Sequence, residues 1–125
     1  MIMPTPPCPC DSGLTYATCC KPLHDGAAAE TAEALMRSRY TAYTLELKDY
    51  LLSTWHASTR PRTLDLRKTK WLGLTVMEHI ESDDTATVEF LTRYKIQGKA
   101  HRLHEQSRFV REDGRWFYVD GDIER

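Results

Sequence analysis

The chain has 125 residues, 41% of them apolar, with 17 Lys and Arg against 18 Asp and Glu for a net charge of −1. That length holds one domain around one core and leaves no room for separate cofactor and substrate domains, while the apolar content excludes wholesale disorder. Balanced charge supplies no global field toward nucleic acid or anionic lipid, and no run approaches the roughly 18 apolar residues of a membrane span. Met1 to Pro7 lack the basic start and apolar stretch of a secretory signal, so a cytoplasmic protein with reduced thiols is expected.

All four cysteines fall near the start, as Cys8, Cys10, Cys19 and Cys20, in the pattern C-x-C-x8-C-C. Two disulfides would demand a tightly knotted peptide and an oxidising compartment. A tetrahedral Zn²⁺ demands only that four thiolates converge about 2.3 Å from one ion. Pro9 stiffens the first pair, Asp11-Ser12-Gly13 is a turn tripeptide, and the second pair follows a turn or short helix around Tyr16. Such a segment has little core of its own, so a metal would supply most of its folding energy. Four protein ligands leave no open coordination position, which makes a structural zinc the expected cofactor. Disulfides and reactive thiols are the competing readings, and His24 is an alternative ligand to one of the adjacent cysteines. Cys8-Pro9-Cys10-Asp11-Ser12-Gly13 with Tyr16 and Cys19-Cys20 resembles the SEC-C zinc motif, best known at the C-terminal end of the SecA translocation motor. The resemblance implies Cys8, Cys10, Cys19 and Cys20 as metal ligands. The chain departs from the common form at Asp11, where Gly is usual, and at Leu14-Thr15 and Ala17-Thr18, where basic residues are usual.

Residues 21–30 read as a linker, ending in Gly26-Ala27-Ala28-Ala29. A helix is predicted over Thr31–Leu45, where Ala32, Met36, Tyr40 and Tyr43 recur at helical spacing and Glu33 and Arg37 pair on the polar face. Arg39 does not fit that face, because it sits on the edge of the apolar stripe. A second helix is predicted over Leu47–Trp55, presenting Leu51, Leu52 and Trp55. After a loop at 57–62, Thr63 is a candidate cap for a short helix through Lys68. Residues 60–70 carry five basic side chains and one acidic one. Without interleaved aromatics they read as a solvated surface, with nucleic-acid contact the weaker alternative.

From Trp71 the period changes to two, predicting strands over 71–81, 85–97, 100–112 and 115–121. They break at Ser82-Asp83-Asp84, Gly98-Lys99 and Asp113-Gly114, each a candidate hairpin turn, so the sheet is antiparallel and the class α+β. Leu72, Leu74, Val76 and Ile80 share one face of the first strand. Ala86, Val88, Phe90, Thr92, Tyr94 and Ile96 share one face of the second. Both faces are expected to meet the helices. The corresponding face of the third strand carries Leu103 and Phe109, but also His101, Glu105 and Ser107. Burying Glu105 is costly unless it is paired or lines a wet cavity, and Arg39 is its natural partner. A satisfied structural ion pair is the competing explanation. The opposite face, Arg102, His104, Gln106 and Arg108, reads as solvated surface, and His56 and His79 as ordinary surface or core-edge histidines.

Ala34 to Tyr43, Thr54-Trp55-His56, Trp71 to Leu74, His101 to Phe109 and Gly114 to Asp122 are similar to the YchJ-type family of uncharacterised bacterial proteins. That resemblance implies a cone-shaped, nuclear-transport-factor-two-like domain over 26–125, in which a curved antiparallel sheet wraps helices, preceded by the zinc motif over 1–25. It brings no established reaction. Two functions remain open. One is a zinc-stabilised binding or adaptor module for a protein partner or small ligand, with a pocket built from Arg39, Tyr43, Trp55, Glu105 and Ser107. The other is a small pocket enzyme of isomerase, dehydratase or hydrolase type. In it Glu105 would be the general base, His101 a partner acid, and Arg39 or Tyr43 the holder of an anionic oxygen. A direct Arg39–Glu105 ion pair would neutralise that base.

Overall fold

The computed structural model describes residues 6–66 and 69–124. The expected linker after the cysteines contains a short helix, α1 (Lys21–His24), with Pro22 in its first turn. There the fixed φ of proline suits a helix start and its missing N–H costs nothing. The longest helix, α2 (Ala32–Leu45), begins where Thr31 Oγ1 accepts the Ala34 N–H at 3.0 Å. It ends on Glu46 in the left-handed region, φ 58°. The third helix, α3 (Lys48–Ser53), stops earlier than the predicted Trp55. The backbone of Thr54 to His56 is recruited by the sheet instead: Tyr118 N–H donates to the Thr54 carbonyl at 2.9 Å and His56 N–H to the Tyr118 carbonyl at 2.7 Å. Residues 63–66 carry no regular structure, so the helix expected from Thr63 is absent there, and Arg67 and Lys68 lie outside the described residues.

Four strands, β1 (Lys70–Ser82), β2 (Thr85–Ile96), β3 (Lys99–Glu112) and β4 (Arg115–Glu124), form one curved antiparallel meander in the order β1-β2-β3-β4. The second turn falls one residue earlier than expected, on Gln97-Gly98, with φ 53° and 77°. Asp113-Gly114 repeats that backbone at 52° and 79°. Positive φ at both central residues gives a hairpin the twist of its strands. α2 lies on the sheet, where Leu35, Met36 and Tyr40 share the core with Leu74, Val88, Phe90, Phe109 and Trp116.

Two bulges correct the predicted face of β1. Trp71 pairs with Tyr94 and Gly73 with Arg93, leaving Leu72 as the extra residue. Leu72 is 42% exposed, and Trp71 packs inward against Tyr40, Tyr43 and Tyr94. A second shift between Val76 and Glu78 rephases the strand again. It turns Ile80 outward, at 54% exposure. His79 and Glu81 face α2 instead: His79 Nε2 is 3.0 Å from Glu33, and Glu81 accepts the Ala32 N–H at 2.9 Å. One inserted residue flips every side chain after it, which simple alternation cannot register.

Candidate metal centre and interior cavity

The knuckle is folded by short-range backbone bonds: Cys8 N–H to the Leu14 carbonyl at 2.9 Å and Asp11 N–H to the Cys8 carbonyl at 3.2 Å. Asp11 and Gly13 take positive φ, 61° and 89°. A single 3-10 turn over Tyr16–Thr18 then delivers Cys19, and Cys20 caps α1. These local constraints bring all four sulfurs within 4.8 Å of one another. A tetrahedron with bonds of about 2.3 Å has edges of about 3.8 Å. The Cys10–Cys19 and Cys19–Cys20 sulfur separations are 3.6 and 3.9 Å. All four are free thiols, not disulfides. Four converging soft donors at those separations fit a tetrahedral metal ion.

The surroundings of the sulfurs come from α2 and the turn. Buried Thr41 donates its hydroxyl to Cys20 Sγ at 3.4 Å and lies 3.6 Å from Cys8 Sγ, while Ser12 Oγ is 3.1 Å from Cys19 Sγ. Arg37 Nη1 donates to the Cys10 carbonyl at 2.7 Å and Arg37 Nε to Glu33 at 2.9 Å. The Cys20 hydrogen bond pulls the Cys10 thiol down to about 4 against the effect of burial, and the same bond pushes Cys20 up. Hydroxyls and a guanidinium that bond to the sulfurs and their backbone in this way orient ligands around a metal.

His24 is not among the converging donors. Its Nε2 lies 2.8 Å from the Ser38 carbonyl, which can only accept, so Nε2 carries the proton. Nδ1 is then the acceptor for the Tyr16 hydroxyl at 2.8 Å. Both nitrogens are engaged, and burial holds the ring below its usual pKa. His24 is therefore a tie between the knuckle and α2. Asp11, visible in the sequence only as a departure from the common motif, makes a second tie. Its carboxylate accepts the Leu74 N–H at 3.0 Å on the edge strand β1. A Cβ at Gly73 would sit 3.2 Å from that oxygen, so the bulge glycine makes room for the contact.

Between α2 and the sheet lies a cavity of about 260 Å³. Of the predicted pocket residues, Arg39, Tyr43, Glu105 and Ser107 line it. Trp55 does not. Its ring lies 5.2 Å from the Arg39 guanidinium and 5.1 Å from the Tyr118 ring, behind the cavity wall. His101 is also outside the lining, stacked on Tyr94 at 5.3 Å. The expected Arg39–Glu105 ion pair is not among the described contacts. Arg39 Nη1 donates to the Leu51 carbonyl at 2.8 Å and to Thr54 Oγ1 at 2.7 Å. The guanidinium also stacks on Tyr118 at 4.6 Å, a cation–π contact. Burial lowers its pKa. Glu105 Oε2 instead accepts the Ser107 hydroxyl at 2.7 Å.

Three lining or supporting residues escaped the pattern. Tyr118 forms part of the wall, its phenol pushed up to about 12 by burial and the Glu105 charge. Thr92 lines the cavity at 2% exposure, and its hydroxyl has no hydrogen-bond partner; the Tyr40 hydroxyl approaches without the geometry of a bond. Gly121 on β4 leaves the space that Glu105 occupies, since a Cβ there would meet Glu105 Oε2 at 2.4 Å. A strand glycine was the one available signal, because it marks close approach of another group. On the outer face, His104 pairs with Glu89 at 2.6 Å, and Arg108 pairs with Asp120 and Asp122 at 2.6 and 2.7 Å.

Fold and site together define a SEC-C motif protein built on a nuclear-transport-factor-two-like α+β domain. Residues 7–22 match the SEC-C motif, and residues 31–121 match the family described as "YchJ, middle NTF2-like domain". The chain belongs to this YchJ family, whose relatives bear the name UPF0225. The UPF0225 protein of Ralstonia nicotianae is 54% identical, over 96% of this chain and 93% of its own. That of Xanthomonas campestris is 55% identical, over 94% and 95%. The solution structure of a SEC-C motif containing protein from Rhodopseudomonas palustris superposes with a TM-score of 0.86 at 35% identity, covering 94% of this chain and 98% of that one. A crystal structure of a SEC-C motif containing protein from Psychrobacter arcticus gives 0.78 at 31% identity, covering 94% and 82%. No helix among the described residues is long and apolar enough to cross a membrane.

Proposed function

We propose that the protein is a zinc-stapled binding module that holds a small organic ligand in its interior cavity. The observation that carries this reading is the cavity itself: about 260 Å³, walled by aromatic rings, with a buried guanidinium, a carboxylate and the unpartnered Thr92 hydroxyl. A buried polar group without a partner costs free energy that a ligand would recover. Mostly apolar lining with a few convergent polar groups is the usual character of a ligand site. Zn²⁺, held by Cys8, Cys10, Cys19 and Cys20, would act as a cross-link and not as a reactant, because four thiolates close its coordination shell. Two measurements test the proposal. Elemental analysis of protein purified under reductant should find one zinc per chain. A fragment screen by nuclear magnetic resonance should shift signals of Thr92, Tyr43 and Ser107. A metal-free but folded protein would refute the first half, and a screen with no cavity hits the second.

A second reading, a small pocket enzyme with Glu105 as base, is favoured by one observation: Glu105 is held by Ser107 and not closed off by Arg39. Tyr43, joined by Tyr118, both kept protonated by burial, would donate to a developing oxyanion. Glu105-dependent exchange of a carbon-bound proton of a bound ligand into deuterated water would support it, and its absence with every cavity ligand would exclude it.

A further inference from the structure

We infer that the cavity selects small organic anions with a flat apolar body, the anionic oxygens meeting Arg39; this rests on the cavity being a ligand site. The first ground is Arg39. It is 5% exposed and lines the cavity, and no carboxylate among the described residues pairs with it. Its well-formed hydrogen bonds leave from Nη1, to a carbonyl and a hydroxyl, and the Tyr43 hydroxyl beside it is a further neutral neighbour. A buried cation satisfied only by neutral groups is the natural counterpart of an anion. Glu105 does not serve, because Ser107 and the space over Gly121 hold it against β4.

The second ground lies at the rim. Tyr43 and Trp71 line both the cavity and an adjoining surface groove, which also contains Lys70 and Lys95. These two lysines are directly opposite each other in the β1–β2 register. Like charges so placed weaken a sheet, and neither has an ion pair among the described residues. Glu46 is the acidic residue of the groove. Two cations beside the mouth would concentrate anions there. The volume points to a compact molecule, since cavities for drug-sized ligands run to about 300–1,000 Å³. Phe90, Phe109 and Trp71 in the wall suit a planar body.

Three probes of one shape and different charge decide the matter: benzoate, benzamide and benzamidine, titrated into the full chain with its metal and followed by chemical-shift changes. Benzoate is expected to bind at least about tenfold more tightly than the other two, a difference one charge-assisted pair supplies. Arg39→Met should reduce that preference to about threefold or less. Because Arg39 also ties α3, two variants that spare it complete the test. Glu105→Gln should tighten benzoate. The double change Lys70→Gln and Lys95→Gln should slow benzoate association at low salt and leave benzamide unchanged. Equal binding of the three probes, or a preference for benzamidine, overturns the anion inference and leaves the pocket reading intact. Binding by none of them overturns the pocket reading, and the inference with it.

Discussion

Gly121 offers a sharp test of how the cavity is built. Its φ is not positive, so an alanine there meets no backbone strain, and any penalty comes from contact alone. The added Cβ would stand 2.4 Å from Glu105 Oε2, 2.9 Å from its Cδ and 3.2 Å from the Gln106 carbonyl oxygen. The carboxylate must leave, and it loses the Ser107 hydroxyl at 2.7 Å. A hydrogen bond to a charged group contributes about 1.5–3 kcal/mol, and overpacking adds about 1–3 kcal/mol where the strand cannot yield. Gly121→Ala should therefore destabilise the fold by about 2.5–6 kcal/mol, read as a lowered urea midpoint with an unchanged m-value. In a Glu105→Ala background the obstruction is gone, and the same substitution should cost at least about 1 kcal/mol less. Additive costs in the two backgrounds would mean that Gly121 has another role, and that Glu105 is not seated over β4.

Asp11→Ala breaks the carboxylate contact to the Leu74 N–H; it should cost about 1–2 kcal/mol and raise hydrogen exchange at Leu74, whereas an unchanged amide would disprove the tie. Chelation under reductant should release the knuckle, exposing His24 and raising exchange through residues 7–25 ahead of the sheet; global unfolding in one step would show that the metal supports the whole domain. Tyr40 and Tyr118 have folded pKa values pushed up to about 12 from 10 by burial. The folded state binds those protons more tightly, so the stability they contribute is complete below pH 10 and is lost as pH rises toward 12. Tyr118→Phe should flatten that alkaline decline, and an unaltered profile would refute the assignment.

The helix-then-strand order, the three hairpins and the shared face of Leu103, Glu105 and Phe109 were legible because periodicity is a local property of the chain. The cysteine quartet was legible for the same reason, as its spacing alone constrains the turn. The bulges at Leu72 and Met77 were not, since an inserted residue leaves composition and average alternation unchanged. The Arg39–Glu105 pair failed because placement on facing elements is not a distance. The Thr54–His56 backbone, drawn onto β4, put Leu51 and Thr54 acceptors closer to the guanidinium. Thr92 was legible as an inward residue but not as cavity wall, because only packing decides which inward side chains leave a space between them.

The two sites share one helix. Arg37, Ser38 and Thr41 of α2 reach the knuckle through the Cys10 carbonyl, His24 and the Cys20 sulfur. Met36, Arg39, Tyr40 and Tyr43 of the same helix line the cavity. At 3.6 residues per turn these sets occupy different stripes of one cylinder, so neither site can shift along or around the helix axis without moving the other. Arg39 was conspicuous in the sequence because it interrupts the apolar stripe. Thr41 was inconspicuous because a threonine beside an apolar stripe is ordinary, although it is fully buried beneath the sulfurs. A metal held by the four cysteines would therefore have a physical route to the cavity that needs no mobile segment. Four thiolates on one ion would fix the knuckle, the knuckle one stripe of α2, and the rigidity of the helix the position of the buried guanidinium on the other.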